Sequence, residues 1–211
     1  MNSNHLSKKF GIICAMKEET AMIIETLKLQ KKPKNILPLF ENQDIVLVES
    51  MVGKVAAGLA TAYLLKHFAP KKIINIGLAG ALNPAFEPGD TFFVSEVFQH
   101  DAYIPIVSYQ NDFYQRIAGE IPDDHARPAV RLTTGDQFID NRKKLAALKA
   151  KADLVDMEGF AIAYVANKYD KKVIFIKATS DKANQSAADE LMINVQRAMQ
   201  NSINLLLKII S

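Results

Sequence analysis

Three carboxylates carry the chemistry this sequence could do. Glu19 lies in "MKEET", directly behind the apolar run "FGIICA". Glu158 lies in "LVDMEGFAIAYVANKY", in front of a stretch that is almost wholly apolar from Phe160 to Ala166. Asp181 follows the apolar run "VIFIKATS". Carboxylates gathered at one apolar pocket drive their pKa values apart, so that one can donate a proton while another accepts one. That is acid/base chemistry needing neither a metal nor a nucleophilic serine. Each acid also has an ordinary explanation. Acids favour the first turn of a helix, facing the positive end of its macrodipole. Asp156 reads as an N-cap or helix-start acid, and Asp181 as the cap of a following turn. Glu18 and Glu19 point about 100° apart on a helix, so one of them at most faces inward.

Other constellations are weaker. His100 and Asp101 read as strand neighbours, which point to opposite faces and form no dyad. The sole cysteine, Cys14, reads as a buried, inert thiol, and with only four histidines in the chain there is no zinc-ligand spacing. "GLAGAL" is neither the G-x-G-x-x-G fingerprint nor a P-loop. It reads as a tight strand exit where a ligand or backbone comes close.

The elements that must position the acids alternate along the chain. "KFGIICA" reads as a strand and "EETAMIIETLK" as a helix; "ILPLF" and "DIVLVES" read as strands joined by a hairpin turn. "GKVAAGLATAYLLKHF" reads as a helix packed closely on a sheet. "KKIINIGLAGAL", "DTFFVSEVFQHDAY" and "PAVRLTTGDQFI" read as strands, and "NRKKLAALKAKA" as a polar-faced helix. After the Glu158 stretch come the strand "KKVIFIKATS" and a last helix through "ADELMINVQRAMQNSINLLLKII". "QKKPK" reads as a solvated loop. The least regular stretch, Ile104 to Pro128, reads as a loop covering a pocket. This alternation predicts one α/β domain over residues 1–211, with a sheet between helix layers. Ligands of such sheets sit outside the carboxyl ends of the strands, where the exits place Met16, Glu19, "GLAG", Gly135 to Ile139, Glu158 and Asp181.

Composition bounds the partners. The 211 residues are 49% hydrophobic and 23% charged, with a net charge of only +3. No basic, aromatic-interleaved face suits a nucleic acid. No run approaches the roughly 18 apolar residues of a membrane span. "MNSNHLSKKF" lacks the apolar core of a signal peptide. A soluble, cytoplasmic protein with neither nucleic-acid nor membrane partners is expected.

Taken in order, "GIICAMKEE", "VGKVAAGLATAYLL", "INIGLAGALNP", "EPGD", "TTGDQFI", "VDMEGFAIAYVA" and "KATSDKA" resemble the nucleoside phosphorylase/nucleosidase superfamily, most nearly its branch of 5′-methylthioadenosine/S-adenosylhomocysteine nucleosidases. The resemblance runs from Gly11 to about Ala183. It implies a three-layer α/β/α sandwich with a mixed central sheet, usually a homodimer, with no cofactor and no metal. It implies hydrolysis of the N-glycosidic bond of an adenine nucleoside. Glu19 aligns with the acid that activates water, and Asp181 with the acid that serves purine N7. Glu158 aligns with the ligand of the ribose hydroxyls, and Met157 packs on the sugar. Phe138 and Ile139 align with the adenine wall, and Met16 and Val52 with lining near the ribose and 5′ group.

The sequence departs from that pattern in several places. Leu78 stands where the family usually has serine, and Lys177 where it usually has arginine. Both positions belong to the polar network around water and ribose, and lysine lacks the bidentate fork of arginine. The segment after Asp181 is short, and "NQSAADEL" lacks the phenylalanine that commonly covers the 5′ substituent. Other readings therefore stay open: a hydrolase of another 5′-modified nucleoside of futalosine type, a purine nucleoside phosphorylase, or a nucleoside-binding homologue without turnover.

Overall fold

The computed structural model describes residues 8–33, 35–106, 115–123 and 129–211. Its strands are β1 (Phe10–Cys14), β2 (Gln30–Lys32), β3 (Leu39–Glu41), β4 (Ile45–Glu49), β5 (Lys72–Ala81), β6 (Thr91–Gln99), β7 (Ile117–Ala118), β8 (Val130–Thr134), β9 (Leu154–Asp156) and β10 (Val173–Asp181). Its helices are α1 (Lys17–Leu27), α2 (Lys54–Phe68), α3 (Arg142–Leu148), α4 (Gly159–Lys168) and α5 (Ala187–Ile210).

The central strands are continuous apolar runs because both faces of the sheet are covered. Every residue of β1 and β10 is buried. On one face α2 and α4 pack through Ala57, Ala60, Leu64, Ile162 and Ala163. On the other, α1 contributes Ile23 and α5 contributes Ala198, Met199, Ile203 and Leu206, at the three- and four-residue steps of one helix face. The result is the expected three-layer α/β/α arrangement around a mixed sheet.

β5 is the hub of that sheet. It pairs in parallel with β1 and β10 and, at its end, antiparallel with β9. β10 then pairs with β6, β6 with β8, and β8 with β9, so these strands close into a ring. Beyond β1 the sheet continues through β4, β3 and β2.

Several local expectations change. "QKKPK" is not simply a loop: Gln30–Lys32 form an edge strand paired with Leu39–Glu41. Its lysines suit an edge, where charge discourages further pairing, and Lys32 Nζ meets Glu41 Oε1 at 2.7 Å. The glycines of "GLAG" lie within β5 rather than after it. β6 ends at Gln99, so His100 and Asp101 follow the strand. The Ile104 to Pro128 stretch lies partly outside the described residues, as do residues 1–7.

Candidate active site

A cavity of about 170 Å³ opens at the carboxyl ends of β1, β5, β8, β9 and β10. Its wall includes Met16, Glu19, Val52, Leu78, Phe138, Ile139, Met157, Glu158 and Asp181. Apart from Lys177, every residue to which the resemblance gives a role at the site lies on this one wall, and so do Gly80 and Gln137 of the strand exits. Ser180 and Leu191 also line it, and neither is picked out by the sequence.

Glu19 is delivered by the start of α1. It is 2% exposed, whereas Glu18 faces solvent. Its Oε2 accepts the Met16 N–H at 2.8 Å and the Cys14 thiol at 3.4 Å. Its Oε1 accepts the Leu78 N–H at 2.8 Å. The position where a serine hydroxyl was missed thus supplies a backbone donor instead. A Cβ on Gly77 would come within 3.1 Å of Glu19 Oε1, so the glycine makes room for the carboxylate. The Cys14 thiol is buried and inert, as its sequence reading has it: burial first, then the Glu19 charge, push its pKa up.

Glu158 stands at the cap position of α4. Its Oε1 accepts the Gly53 N–H at 2.8 Å and its Oε2 the Met157 N–H at 3.3 Å. Desolvation, followed by the neighbouring charge of Asp156, raises its carboxyl to about 7. Asp156 itself is a helix-start acid, as its ordinary reading has it. Its Oδ2 accepts the Gly159 N–H at 2.9 Å, and its Oδ1 accepts the Thr134 hydroxyl at 2.6 Å.

Asp181 ends β10 just after a break in register. Thr179 pairs with Ala79 but Asp181 with Gly80, leaving Ser180 as the extra residue of a bulge. Bulges re-aim side chains beside functional sites, and this one turns Asp181 toward the cavity. The Ser180 hydroxyl donates to Asp181 Oδ2 at 2.6 Å, and the Ala183 N–H to Oδ1 at 2.8 Å. The turn-cap reading of Asp181 is therefore correct as well. Burial is the largest influence on Asp181 and raises its pKa above the ordinary carboxylate value.

Lys177 goes elsewhere. It is 1% exposed, off the cavity wall, and its Nζ meets Asp156 Oδ2 at 2.9 Å. Asp101 also gains a structural partner. It accepts from Lys54 Nζ at 2.6 Å and from the Asp136 N–H at 2.8 Å, tying the start of α2 to the segment before Phe138.

Acids on separate strand exits around an apolar cavity suit acid/base chemistry, and the chain as a whole matches one family. The model of the phosphorylase superfamily aligns with residues 9–211. The chain belongs to the phosphorylase superfamily. Within the superfamily, a 5′-methylthioadenosine/S-adenosylhomocysteine nucleosidase of Buchnera aphidicola is 31% identical, over 92% of this chain and 86% of its own. An aminodeoxyfutalosine nucleosidase of Campylobacter jejuni is 28% identical, over 92% of this chain and 96% of its own. The solved structure of an S. pneumoniae 5′-methylthioadenosine/S-adenosylhomocysteine nucleosidase, bound to the transition-state inhibitor MT-ImmA, has a TM-score of 0.83 at 27% identity. It covers 94% of this chain and 96% of its own.

Proposed function

We propose that this superfamily member hydrolyses the N-glycosidic bond of an adenine nucleoside, 5′-methylthioadenosine or S-adenosylhomocysteine, and releases adenine. Its nucleosidase relatives support the reaction class. The observation that carries our assignment of roles is the convergence of Glu19, Glu158 and Asp181, from three separate elements, on one cavity.

Breaking this bond builds positive charge on the ribose and negative charge on the base. Asp181 serves N7 of the base: burial shifts its carboxyl toward the protonated form, the direction a general acid needs, and general acid catalysis of this kind contributes roughly 10²–10⁴-fold. Glu19 takes the proton of the attacking water. With the backbone amides of Met16 and Leu78 gripping one oxygen each, its carboxylate is held still for that task. Glu158 accepts from the ribose hydroxyls while Met157 packs on the sugar. Phe138 and Ile139 form the adenine wall, and Met16, Val52 and Leu78 line the rest.

In our reading, residues 1–211 work as one domain and a second copy of the chain is the partner. The apolar side chains of Val55 and Leu59 on α2, 86% and 51% exposed, continue outward from cavity-lining Val52 and support a homodimer face there. A cytoplasmic setting fits the lone, unpaired Cys14. Among the described residues no helix is long and apolar enough to cross a membrane.

A second reading, hydrolysis of aminodeoxyfutalosine, is favoured by the Campylobacter jejuni relative and by the altered segment after Asp181. Incubation with 5′-methylthioadenosine, S-adenosylhomocysteine, aminodeoxyfutalosine and adenosine, without phosphate, tests both. Adenine release from the first two supports the proposal, and release from aminodeoxyfutalosine alone supports the second reading. No adenine from any of them overturns both.

A further inference from the structure

Lys177 is the residue that the proposed roles do not absorb. It is fully buried, lies off the cavity wall, and forms an ion pair with Asp156 at 2.9 Å. A buried ion pair is weak evidence for stability, because well-packed apolar side chains of similar volume commonly do as well or better. Its location is more telling. Asp156 also receives the Thr134 hydroxyl at 2.6 Å and the Gly159 N–H at 2.9 Å. The Thr134 oxygen in turn accepts the Phe160 N–H at 2.8 Å. Groups from β8, β9, β10 and α4 therefore meet in one buried network beneath the helix turn that carries Glu158. The charges facing Lys177 are those of Asp156, Glu158 and Glu19, with the Cys14 thiol nearby.

We propose that Lys177 and Asp156 are a positioning pair: Lys177 fixes Asp156, Asp156 fixes the first turn of α4, and their opposed charges set how firmly Glu158 holds its ligand. This rests on the reading of Glu158 as the ribose ligand. The two members act on Glu158 with opposite sign. Asp156 opposes a negative charge there and Lys177 favours one. A role confined to packing has no such signature.

The test is the pH dependence of KM for 5′-methylthioadenosine, or for whichever of the nucleosides above is cleaved. Lys177→Met is expected to move the acid limb of KM to higher pH and Asp156→Asn to lower pH. Lys177→Arg, which keeps the charge, leaves the limb in place, and the double variant Asp156→Asn/Lys177→Met returns it toward wild type. At neutral pH Lys177→Met raises KM by up to roughly 100-fold, the scale of a misplaced binding group, with a smaller change in kcat. Limbs that move the same way in both single variants, or that do not move, overturn the pair. Where Lys177→Met fails to fold, Asp156→Asn and the double variant decide: a limb unmoved in Asp156→Asn sinks the proposal. Glu158→Gln is measured alongside. A limb that survives in Glu158→Gln overturns the ribose reading and the pair together, whereas one lost there but unmoved in Asp156→Asn overturns the pair alone.

Discussion

The Gly53 amide N–H donates to Glu158 Oε1 at 2.8 Å, across 105 positions of sequence. Gly53 holds this pose at φ +103°, a region closed to most side chains, and a Cβ there would also come within 3.2 Å of Asp136 Oδ1. Such backbone strain costs about 1–3 kcal/mol. Gly53→Ala is therefore expected to lower Tm and to loosen the grip on Glu158. KM should rise several-fold with kcat much less affected, which steady-state kinetics and thermal unfolding will show.

Glu158 predicts a pH dependence in binding and in stability. Its folded pKa is raised from 4.5 to about 7, so the folded state holds the proton more tightly than the unfolded chain does. The sign follows from linkage: this group's contribution favours folding below about 4.5 and declines as pH rises toward about 7. Ligand binding runs the other way if the ionised carboxylate accepts from ribose hydroxyls, so KM should fall as pH rises through about 7. Glu158→Gln should abolish both trends, read from Tm and KM against pH. A KM unchanged by Glu158→Gln would remove this residue from the ribose.

Asp181→Asn separates proton donation from scaffolding. The asparagine carbonyl can still accept the Ala183 N–H that Asp181 accepts at 2.8 Å, and a neutral group suits a site where burial already opposes charge. Tm should hold or rise. With the proposed general acid gone, kcat should drop by roughly 10²–10⁴-fold. Adenine release at wild-type rate from Asp181→Asn would show that leaving-group protonation comes from elsewhere.

How much of this was legible in the sequence depends on whether local or cross-chain geometry decides a residue's place. Glu19 could be read from its own helix start, because adjacent first-turn acids diverge and only one can face the sheet. The bland readings of Asp156 and Asp181 were also correct, because local turns use the same carboxylates that the site surrounds. The bulge at Ser180 could not be read, since it exists only in the register of β10 against β5. Gly53 gave a weak signal, a glycine just ahead of a helix, but its partner is set by the packing of α2 against α4. Lys177 was legible only in part for a related reason. The resemblance places a cation in the polar network of the acids, where Glu158 and Glu19 do face it, but only the sheet determines that Asp156 is its direct partner.

Glu19→Gln should behave differently from Asp181→Asn although both should be inactive. Each Glu19 oxygen accepts a backbone N–H at 2.8 Å, from Leu78 on one side and Met16 on the other. The glutamine amide must present its NH2 to one of those donors. A buried backbone N–H left without an acceptor costs about 1–3 kcal/mol, and in a chain of this size Tm should fall by several degrees, at roughly 2–4 °C per kcal/mol. The loss of the proposed water-activating carboxylate should lower kcat by roughly 10²-fold or more. Thermal unfolding and single-turnover adenine release on the two variants check both halves. A destabilised Glu19→Gln that still cleaves at the wild-type rate would leave Glu19 a structural cap and move water activation to another group.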